Sequence, residues 1–153
     1  MTLTHEDVTL GLVLHLDTAL LRARGGCQTN AVLGPEGDRS VVGTHDFLIV
    51  SVDPVAGRCT AVPLFTKTAV GNQPLENGKK SGRATQWIGA DSFFSRWQHW
   101  RMPIASVVAA AVVDPALDPV PLADSRRYAA TDRSALDDIK NWEGRNRAPY
   151  RDV

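Results

Sequence analysis

Three of the chain's four tryptophans lie between residues 84 and 101, together with two arginines and a histidine. These residues are Trp87, Trp97, Trp100, Arg96, Arg101 and His99. An aromatic ring beside a guanidinium group suits the stacking of a nucleobase and the binding of a phosphate. The same residue types also build ordinary cores with a polar rim, because large aromatic side chains are mostly buried. Both a nucleic-acid contact and a structural core are therefore open.

The basic charge of the chain is concentrated around this aromatic stretch. The whole protein has a formal net charge of zero, whereas residues 57–101 contain seven basic and two acidic residues. A basic, aromatic-rich segment on a neutral protein predicts one local face for an anionic partner. A solvated loop with ordinary lysines is the alternative. The residues predicted to contact nucleic acid are Lys67, Lys79, Lys80, Arg83, Arg96, Trp97, His99, Trp100 and Arg101.

Length and composition predict a single soluble domain. A chain of 153 residues, of which 43% are hydrophobic and 22% charged, is long enough to bury its own core. No apolar run approaches the roughly 18 residues that a membrane span requires. His5, Glu6 and Asp7 stand where an export signal would carry basic residues. We therefore expect a cytoplasmic protein without membrane contact.

The cysteines and histidines show no metal or cofactor signature. Cys27 and Cys59 lack C-x-x-C spacing, and the four histidines are scattered along the chain. We expect no metal and no cofactor. Thiols in a cytosolic chain are most often buried or idle, although a disulfide between Cys27 and Cys59 stays open.

Five short segments have the composition of strands. Residues 47–52 are apolar and β-branched, and residues 58–65 form their expected hairpin partner across a turn at 53–57. Further strands are predicted at 9–16, 84–88 and 104–113. Pro63 indicates an edge, a bulge or a strand end, because proline donates no ladder hydrogen bond. Residues 18–44 are predicted to be a long, partly irregular excursion, and residues 66–83 a loop.

Two helices and a connector complete the predicted fold. Asp91 or Ser92 would cap a short helix through Trp97. After a proline-rich connector at 114–121, a helix at about 131–144 would pack its apolar residues on the sheet. The whole chain, 1–153, is then a single mainly β domain. Its centre, about 9–113, would be a small antiparallel SH3-like barrel with a short helix and a C-terminal helix.

The order of the short motifs resembles that of the MazF/PemK-like toxins. Gly11 opens a strand of alternating apolar residues, and residues 47–51 form an apolar strand that ends in a serine. Residues 61–66 read Ala-Val-Pro-Leu-Phe-Thr, and residues 88–91, Arg96 and the C-terminal helix follow in the same order. The resemblance covers most of the chain. It implies an SH3-like barrel, metal-independent RNA cleavage, an antitoxin partner and a homodimer.

The chain departs from this family where the family places its chemistry. In the register that aligns the strand-ending serine, the family's arginine position holds His45 and its proline position holds Asp46. The family's threonine position falls on Phe65, and Thr66 comes one residue later. A shift of one residue turns a side chain to the other face of a sheet. Leu12 also replaces the acidic residue that usually follows the first glycine.

Metal-free cleavage of RNA requires a base for the 2′-hydroxyl, a cation beside the phosphate and an acid for the leaving oxygen. His45 suits the base or the acid role near neutral pH, and His99 or Arg96 the complementary role. Thr66 or Thr68 would hold a phosphate oxygen. Asp46 would either orient His45 or make a turn at the strand entry.

Two hypotheses follow from these residues. The first is a toxin-like, RNA-directed protein: either a metal-independent endoribonuclease with His45 and Thr66 as catalytic residues, or a degenerate relative that binds single-stranded RNA without cutting it. The alternative is a non-enzymatic SH3-like barrel that acts as a protein-interaction module. In both, Trp97 and Trp100 supply the contact rings, because tryptophan and arginine are enriched in RNA contacts and protein interfaces alike. Trp87 is predicted to be structural.

Overall fold

The computed structural model describes residues 3–77, 80–81, 89–112, 127–129, 136–137, 139–141 and 148–153. Two α-helices and a short 3-10 helix are among them: α1 Thr18–Arg24, α2 Ile104–Ala110 and the 3-10 helix His5–Asp7. The strands are β1 Leu12–Asp17, β2 Gln28–Thr29, β3 Leu33–Gly34, β4 Gly37–Asp38, β5 Thr44–Asp53, β6 Arg58–Phe65, β7 Asn72–Leu75, β8 Lys80–Ser81, β9 Ser92–Ser95, β10 Trp100–Pro103, β11 Arg127–Ala129 and β12 Arg151–Asp152.

The strands form a mainly antiparallel structure, which confirms the predicted fold class at that level. The main sheet has the order β12-β2-β10-β6-β5-β1-β11-β8. β9 joins the end of β6 and pairs with β7 on its other side, whereas β3 and β4 form a separate hairpin. Within the described residues this order is open, with β12 and β8 at its two ends.

The β5–β6 hairpin is the centre of the sheet, as the sequence predicts. Its ladder pairs Phe47 with Pro63 and Asp53 with Arg58, and it is interrupted by a bulge after Ile49. β6 pairs with β5 along one edge, and along its other edge the partner strand changes from β10 to β9 at Pro63. β10 pairs with Arg58–Ala61, and β9 pairs with the last two residues of β6. The missing N–H of Pro63 therefore falls between two partner strands, where it interrupts neither ladder.

Successive side chains of the central strands point to opposite faces of the sheet and pack into two separate cores, one on each face. On the first face the core contains Leu12, Leu14, Leu16, Phe47, Ile49, Ala61, Trp100 and Met102, covered by residues of α1 and α2. The second core contains Val13, Leu48, Val50, Val62, Leu64, Leu75, Phe94, Leu136 and Ile139. Both faces of the hairpin are therefore packed, which accounts for its nearly continuous apolar sequence.

The strand predicted at 104–113 is wrong, because residues 104–110 form α2. Ile104, Val107 and Ala110 are buried at three-residue spacing and face the first core. A short run of alanine, valine and isoleucine cannot be assigned by periodicity, since a buried strand and a buried helix are both apolar throughout. Packing against the first core decides in favour of the helix.

The short helix predicted from Asp91 or Ser92 through Trp97 is also wrong. Residues 92–95 are β9, which pairs with β6 and β7. Phe94 lies opposite Leu64 and joins the second core. The local capping signal is overridden because the packing of Phe94 against Leu64 on the neighbouring strand buries more apolar area than an isolated helical turn would.

The ends of the chain agree in part with the sequence. Of the predicted C-terminal helix at 131–144, the described residues 136, 137 and 139–141 are helical. Leu136 and Ile139 pack on the sheet as predicted. The connector at 114–121, the strand at 84–88 and Trp87 lie outside the described residues. No helix in the described ranges has the length and hydrophobicity to span a bilayer.

The two cysteines are buried on opposite sides of one strand, which argues against a disulfide. Cys59 pairs with Met102 of β10, and on the other side of β10 Arg101 pairs with Gln28, the residue after Cys27; both thiols are free. Two strand spacings separate their Cα atoms by roughly 10 Å. A disulfide requires a Cα separation of no more than about 7 Å.

The buried thiols should resist alkylation in the folded protein. Burial raises the pKa of Cys59 to about 12; the nearby Cys27 adds to the rise and Arg58 opposes it. Because the thiolate is the nucleophile, neither cysteine should react with iodoacetamide at neutral pH. Mass spectrometry should find no adduct on native protein and two adducts after unfolding in guanidinium chloride. Rapid labelling of Cys59 in the native protein would contradict this burial.

Candidate nucleic-acid interface

A groove of about 700 Å³ lies between the loop after β6, the turn after β9 and the excursion that contains β3 and β4. Four residues predicted from the sequence line it together: Thr66, Lys67, Thr68 and Trp97. Arg39 and Phe65 line it as well, and there is no acidic residue among the lining side chains. The groove therefore combines an aromatic surface with positive charge, as the sequence hypothesis requires.

The ring of Trp97 is held in the groove by its contact with Gly71. Gly71 has φ +85°, and a Cβ at this position would lie 2.5 Å from Cζ3 of Trp97. The Arg96 amide donates to the Gly71 carbonyl at 3.0 Å, and the Trp97 amide donates to Ser95 Oγ at 3.1 Å. These bonds keep the ring against bare backbone while its side chain stays 40% exposed.

The Arg96 guanidinium lies near the same ring, although Arg96 is not among the residues that line the groove. Its carbon is 5.7 Å from the centroid of the Trp97 ring, within the range of a cation–π contact. Arg96 thus adds positive charge beside the exposed aromatic surface.

Gln98, the residue after Trp97, also lines the groove. Its side chain is buried, and Oε1 accepts from the Val41 amide at 3.0 Å and from Trp100 Nε1 at 2.8 Å. Its Nε2 donates to the Arg39 carbonyl at 3.3 Å. Because these bonds occupy the carboxamide, Gln98 fixes the position of residues 39–41 and is a structural part of the wall.

The two basic residues of the lining are accessible to solvent. The Arg39 side chain is 61% exposed and forms an ion pair with Glu36, which is outside the lining. Lys67 is exposed in the loop after β6. Both cations can therefore reach an anion in the groove without desolvation of a buried charge.

The two residues predicted to be catalytic lie on either side of Phe65. The half-buried ring of His45 contacts the ring of Phe65 edge-on, with centroids 5.7 Å apart. Thr66 follows Phe65 in the chain and lines the groove. His45 therefore does not line the groove itself. Its imidazole contacts the groove indirectly, through the ring of Phe65.

Asp46 pairs with His15 and does not orient His45. The distance between His15 Nδ1 and Asp46 Oδ1 is 2.8 Å, and the two side chains are 27% and 30% exposed. The two residues are directly opposite in the β1–β5 ladder. His45 and Asp46 are adjacent in one strand, so their side chains point to opposite faces. No local sequence pattern indicates this pair, because His15 and Asp46 are brought together only by the register of β1 and β5.

His99 and Trp100 are not on the surface. Both side chains are 0% exposed. His99 Nε2 donates to the Ile139 carbonyl at 3.1 Å, and its backbone amide donates to Asn30 Oδ1 at 2.7 Å. Trp100 stacks edge-on with Phe47, with ring centroids 5.6 Å apart. Neither ring is accessible to RNA in this structure, so the expectation that Trp97 and Trp100 share a contact face is corrected.

Lys80 is buried as well, and Arg101 lies elsewhere. Lys80 Nζ donates to the Ala90 carbonyl at 2.6 Å and to Ser92 Oγ at 2.9 Å. Burial lowers the pKa of Lys80, and the negative charge of Asp91 opposes that shift. Arg101 is exposed on β10 and lines a different depression. Lys79 and Arg83 lie outside the described residues.

Within the described part of the chain, no group of three or more His, Cys, Asp or Glu side chains is arranged to hold a metal ion. Comparison with protein-family models, curated proteins and solved structures finds no match to this chain.

The contact between Gly71 and Trp97 predicts an unequal cost for two glycine substitutions. Gly71→Ala and Gly57→Ala both force alanine into the left-handed region, at about 1–2 kcal/mol each. Only Gly71→Ala also displaces a ring, because nothing lies within 4 Å of a Cβ on Gly57. Urea unfolding should therefore give a larger loss of stability for Gly71→Ala. Equal losses would show that the ring contact is not tight.

Proposed function

We propose that this protein binds single-stranded RNA in the groove, with a base stacked on Trp97 and phosphates held by Arg39 and Lys67. The observation that carries the proposal is a partly exposed tryptophan, fixed against Gly71, in a groove lined by two cations and no carboxylate. Stacking is tolerant of base identity because every base has a π face. The site therefore supports RNA binding of low sequence specificity.

The dimensions and the apolar lining of the groove support the same proposal. Its volume of about 700 Å³ falls within the range of pockets that enclose drug-sized ligands, which have about the dimensions of a nucleotide. Phe65 and Trp97 offer aromatic surface, and Thr66 offers a hydroxyl that can donate to a phosphate oxygen.

Cleavage of the bound RNA is a second candidate function, favoured by the contact between His45 and Phe65. In this reaction a base removes the 2′-hydroxyl proton, and the 2′-oxygen attacks phosphorus. The P–O5′ bond breaks, and an acid protonates the leaving oxygen. His45 would serve as base or acid, and Thr66 would hold a phosphate oxygen. Because His99 is buried, Arg96 beside the Trp97 ring is the remaining candidate for the complementary role. The resemblance to MazF/PemK-like toxins adds an SH3-like barrel, an antitoxin partner and a homodimer to this proposal, and the N-terminal sequence adds a cytoplasmic location.

The competing function is a protein-interaction module. Val70 is 89% exposed, Leu33 is 62% exposed and Val32 is 46% exposed, and these side chains lie in the groove or next to it. Exposed apolar residues around an aromatic anchor are typical of protein interfaces. The dependence of binding on salt separates the two functions, because only an RNA contact releases condensed counterions.

We expect Trp97→Ala to weaken binding of a single-stranded oligoribonucleotide by about 1–3 kcal/mol, the usual contribution of one stacked base. Lys67→Ala should lower the slope of log affinity against log salt by about 0.7, the value for one phosphate of a single strand. Fluorescence anisotropy over a salt series measures both effects.

Matched controls are available elsewhere on the surface. Val55 is 99% exposed in the β5–β6 turn, and Lys140 is exposed on the C-terminal helix. Val55→Ala and Lys140→Ala should leave RNA affinity unchanged. Absence of RNA binding by the wild type, or binding that does not respond to salt, would contradict the proposal and favour the interaction module.

If the wild type cleaves RNA, His45→Ala should lower the rate by about 100-fold or more, as loss of a general acid or base does. The thermal midpoint should change little, and the exposed His5→Ala is the control. A rate lost in His15→Ala and kept in His45→Ala would contradict this assignment and move proton transfer to the His15–Asp46 pair. Binding without cleavage would leave RNA binding as the whole function.

A further inference from the structure

We propose that a second site, on the opposite face of the sheet from the groove, binds a phosphate group. The site is a depression of about 130 Å³ lined by Ser51, Asp53, Arg58, Cys59, Thr60 and Arg101. This volume equals that of about four water molecules, which suits a single phosphate or phosphate monoester. The proposal is independent of RNA binding in the groove.

The strand register brings the polar groups of this site together. Thr60 of β6 pairs with Ser51 of β5 on one side and with Arg101 of β10 on the other. Paired residues project from the same face of a sheet. Arg58 is two residues from Thr60 on the same strand, so its side chain projects from that face as well. Two hydroxyl-bearing and two arginine side chains therefore project from one face of the sheet.

Both arginines are held by neighbouring groups. The Arg101 guanidinium carbon is 3.7 Å from the centroid of the Tyr150 ring, which is a stacking distance. Stacking uses the face of a guanidinium, whereas its N–H donors lie in the plane. Arg58 Nη2 donates to the Gly26 carbonyl at 3.1 Å. Side chains fixed in this way lose little rotamer entropy when an anion binds.

The placement of the two arginines favours a bound anion. They are diagonal neighbours on adjacent strands, a distance of about 7–8 Å between backbone positions. Like charges on neighbouring strands repel, and an oxyanion between them would replace repulsion by charge-assisted hydrogen bonds. Arginine is the residue best shaped for this role, because its planar fork matches phosphate geometry.

Asp53 is the one acidic residue of the lining and limits the affinity. Its Oδ1 accepts a hydrogen bond from the Ala56 amide at 3.0 Å, which fixes the carboxylate in the hairpin turn. Asp53 pairs with Arg58 across the ladder, so its charge partly offsets that of Arg58. We therefore expect weak phosphate binding in the wild type and tighter binding when this charge is removed.

The site is physically separate from the groove. Thr60 and Phe65 are five residues apart on β6, which is roughly 17 Å along the strand. An odd separation also points the two side chains to opposite faces. A ligand as small as phosphate cannot contact both the depression near Thr60 and the groove near Phe65. Phosphate binding and RNA binding can therefore be tested independently.

The test is titration of the protein with inorganic phosphate at constant ionic strength, monitored by the amide NMR signals of Ser51 and Thr60. Sodium chloride is the reference titration. We expect saturable shifts with phosphate alone, and Arg58→Gln and Arg101→Gln should each weaken binding about tenfold, the loss of one charge-assisted hydrogen bond. A parallel titration with a nucleoside 5′-monophosphate tells whether the site also accepts a phosphate monoester.

Two further variants distinguish binding at this site from a general effect of the protein's charge. Asp53→Asn should strengthen phosphate binding, whereas Arg24→Gln, an exposed arginine at the end of α1, should have no effect. Shifts that are equal with chloride, or that respond to Arg24→Gln as strongly as to Arg58→Gln, would overturn the proposal in favour of bulk electrostatics. Thermal midpoints of all variants establish that the fold is retained.

Discussion

The side-chain amide of Gln98 is the interaction on which the groove depends. It accepts from the Val41 amide and the Trp100 indole and donates to the Arg39 carbonyl. A buried donor left without a partner costs about 1–3 kcal/mol, so this one carboxamide ties the excursion after α1 to β10. It also satisfies the polar atom of Trp100, which allows that ring to be fully buried. Arg39 reaches the groove because its backbone is held there.

The central hairpin positions everything else through the alternation of its side chains. On β5, His45 contacts Phe65 on one face while Asp46 pairs with His15 on the other. On β6, Phe65 lies at the groove and Thr60 faces the opposite side. Both faces are packed, so neither strand can slip by one residue without exposing a core. Two independent sites thus share one rigid support.

Sequence patterns predicted the elements that are determined locally. The β5–β6 hairpin has β-branched strands on either side of a turn, and the helical residues near Leu136 and Ile139 have apolar spacing that matches the sheet they cover. The residues of α2 were predicted to be a strand, and those of β9 were predicted to be part of a helix. An apolar run such as 104–110 fits a strand or a helix equally well, and the capping signal at Ser92 is weaker than the burial of Phe94 against Leu64.

For the site, residue types alone predicted the chemistry, since one basic, aromatic-rich segment contains Thr66, Lys67, Arg96 and Trp97. Which of these side chains are accessible depends on the folded arrangement of the strands and loops. Trp97 and Trp100 are three residues apart, yet one lies against Gly71 at the surface and the other is in the core. Burial depends on strands and loops that are distant in sequence. The pairing of His15 with Asp46 and the contribution of Arg39 to the groove likewise arise from contacts that no local pattern contains.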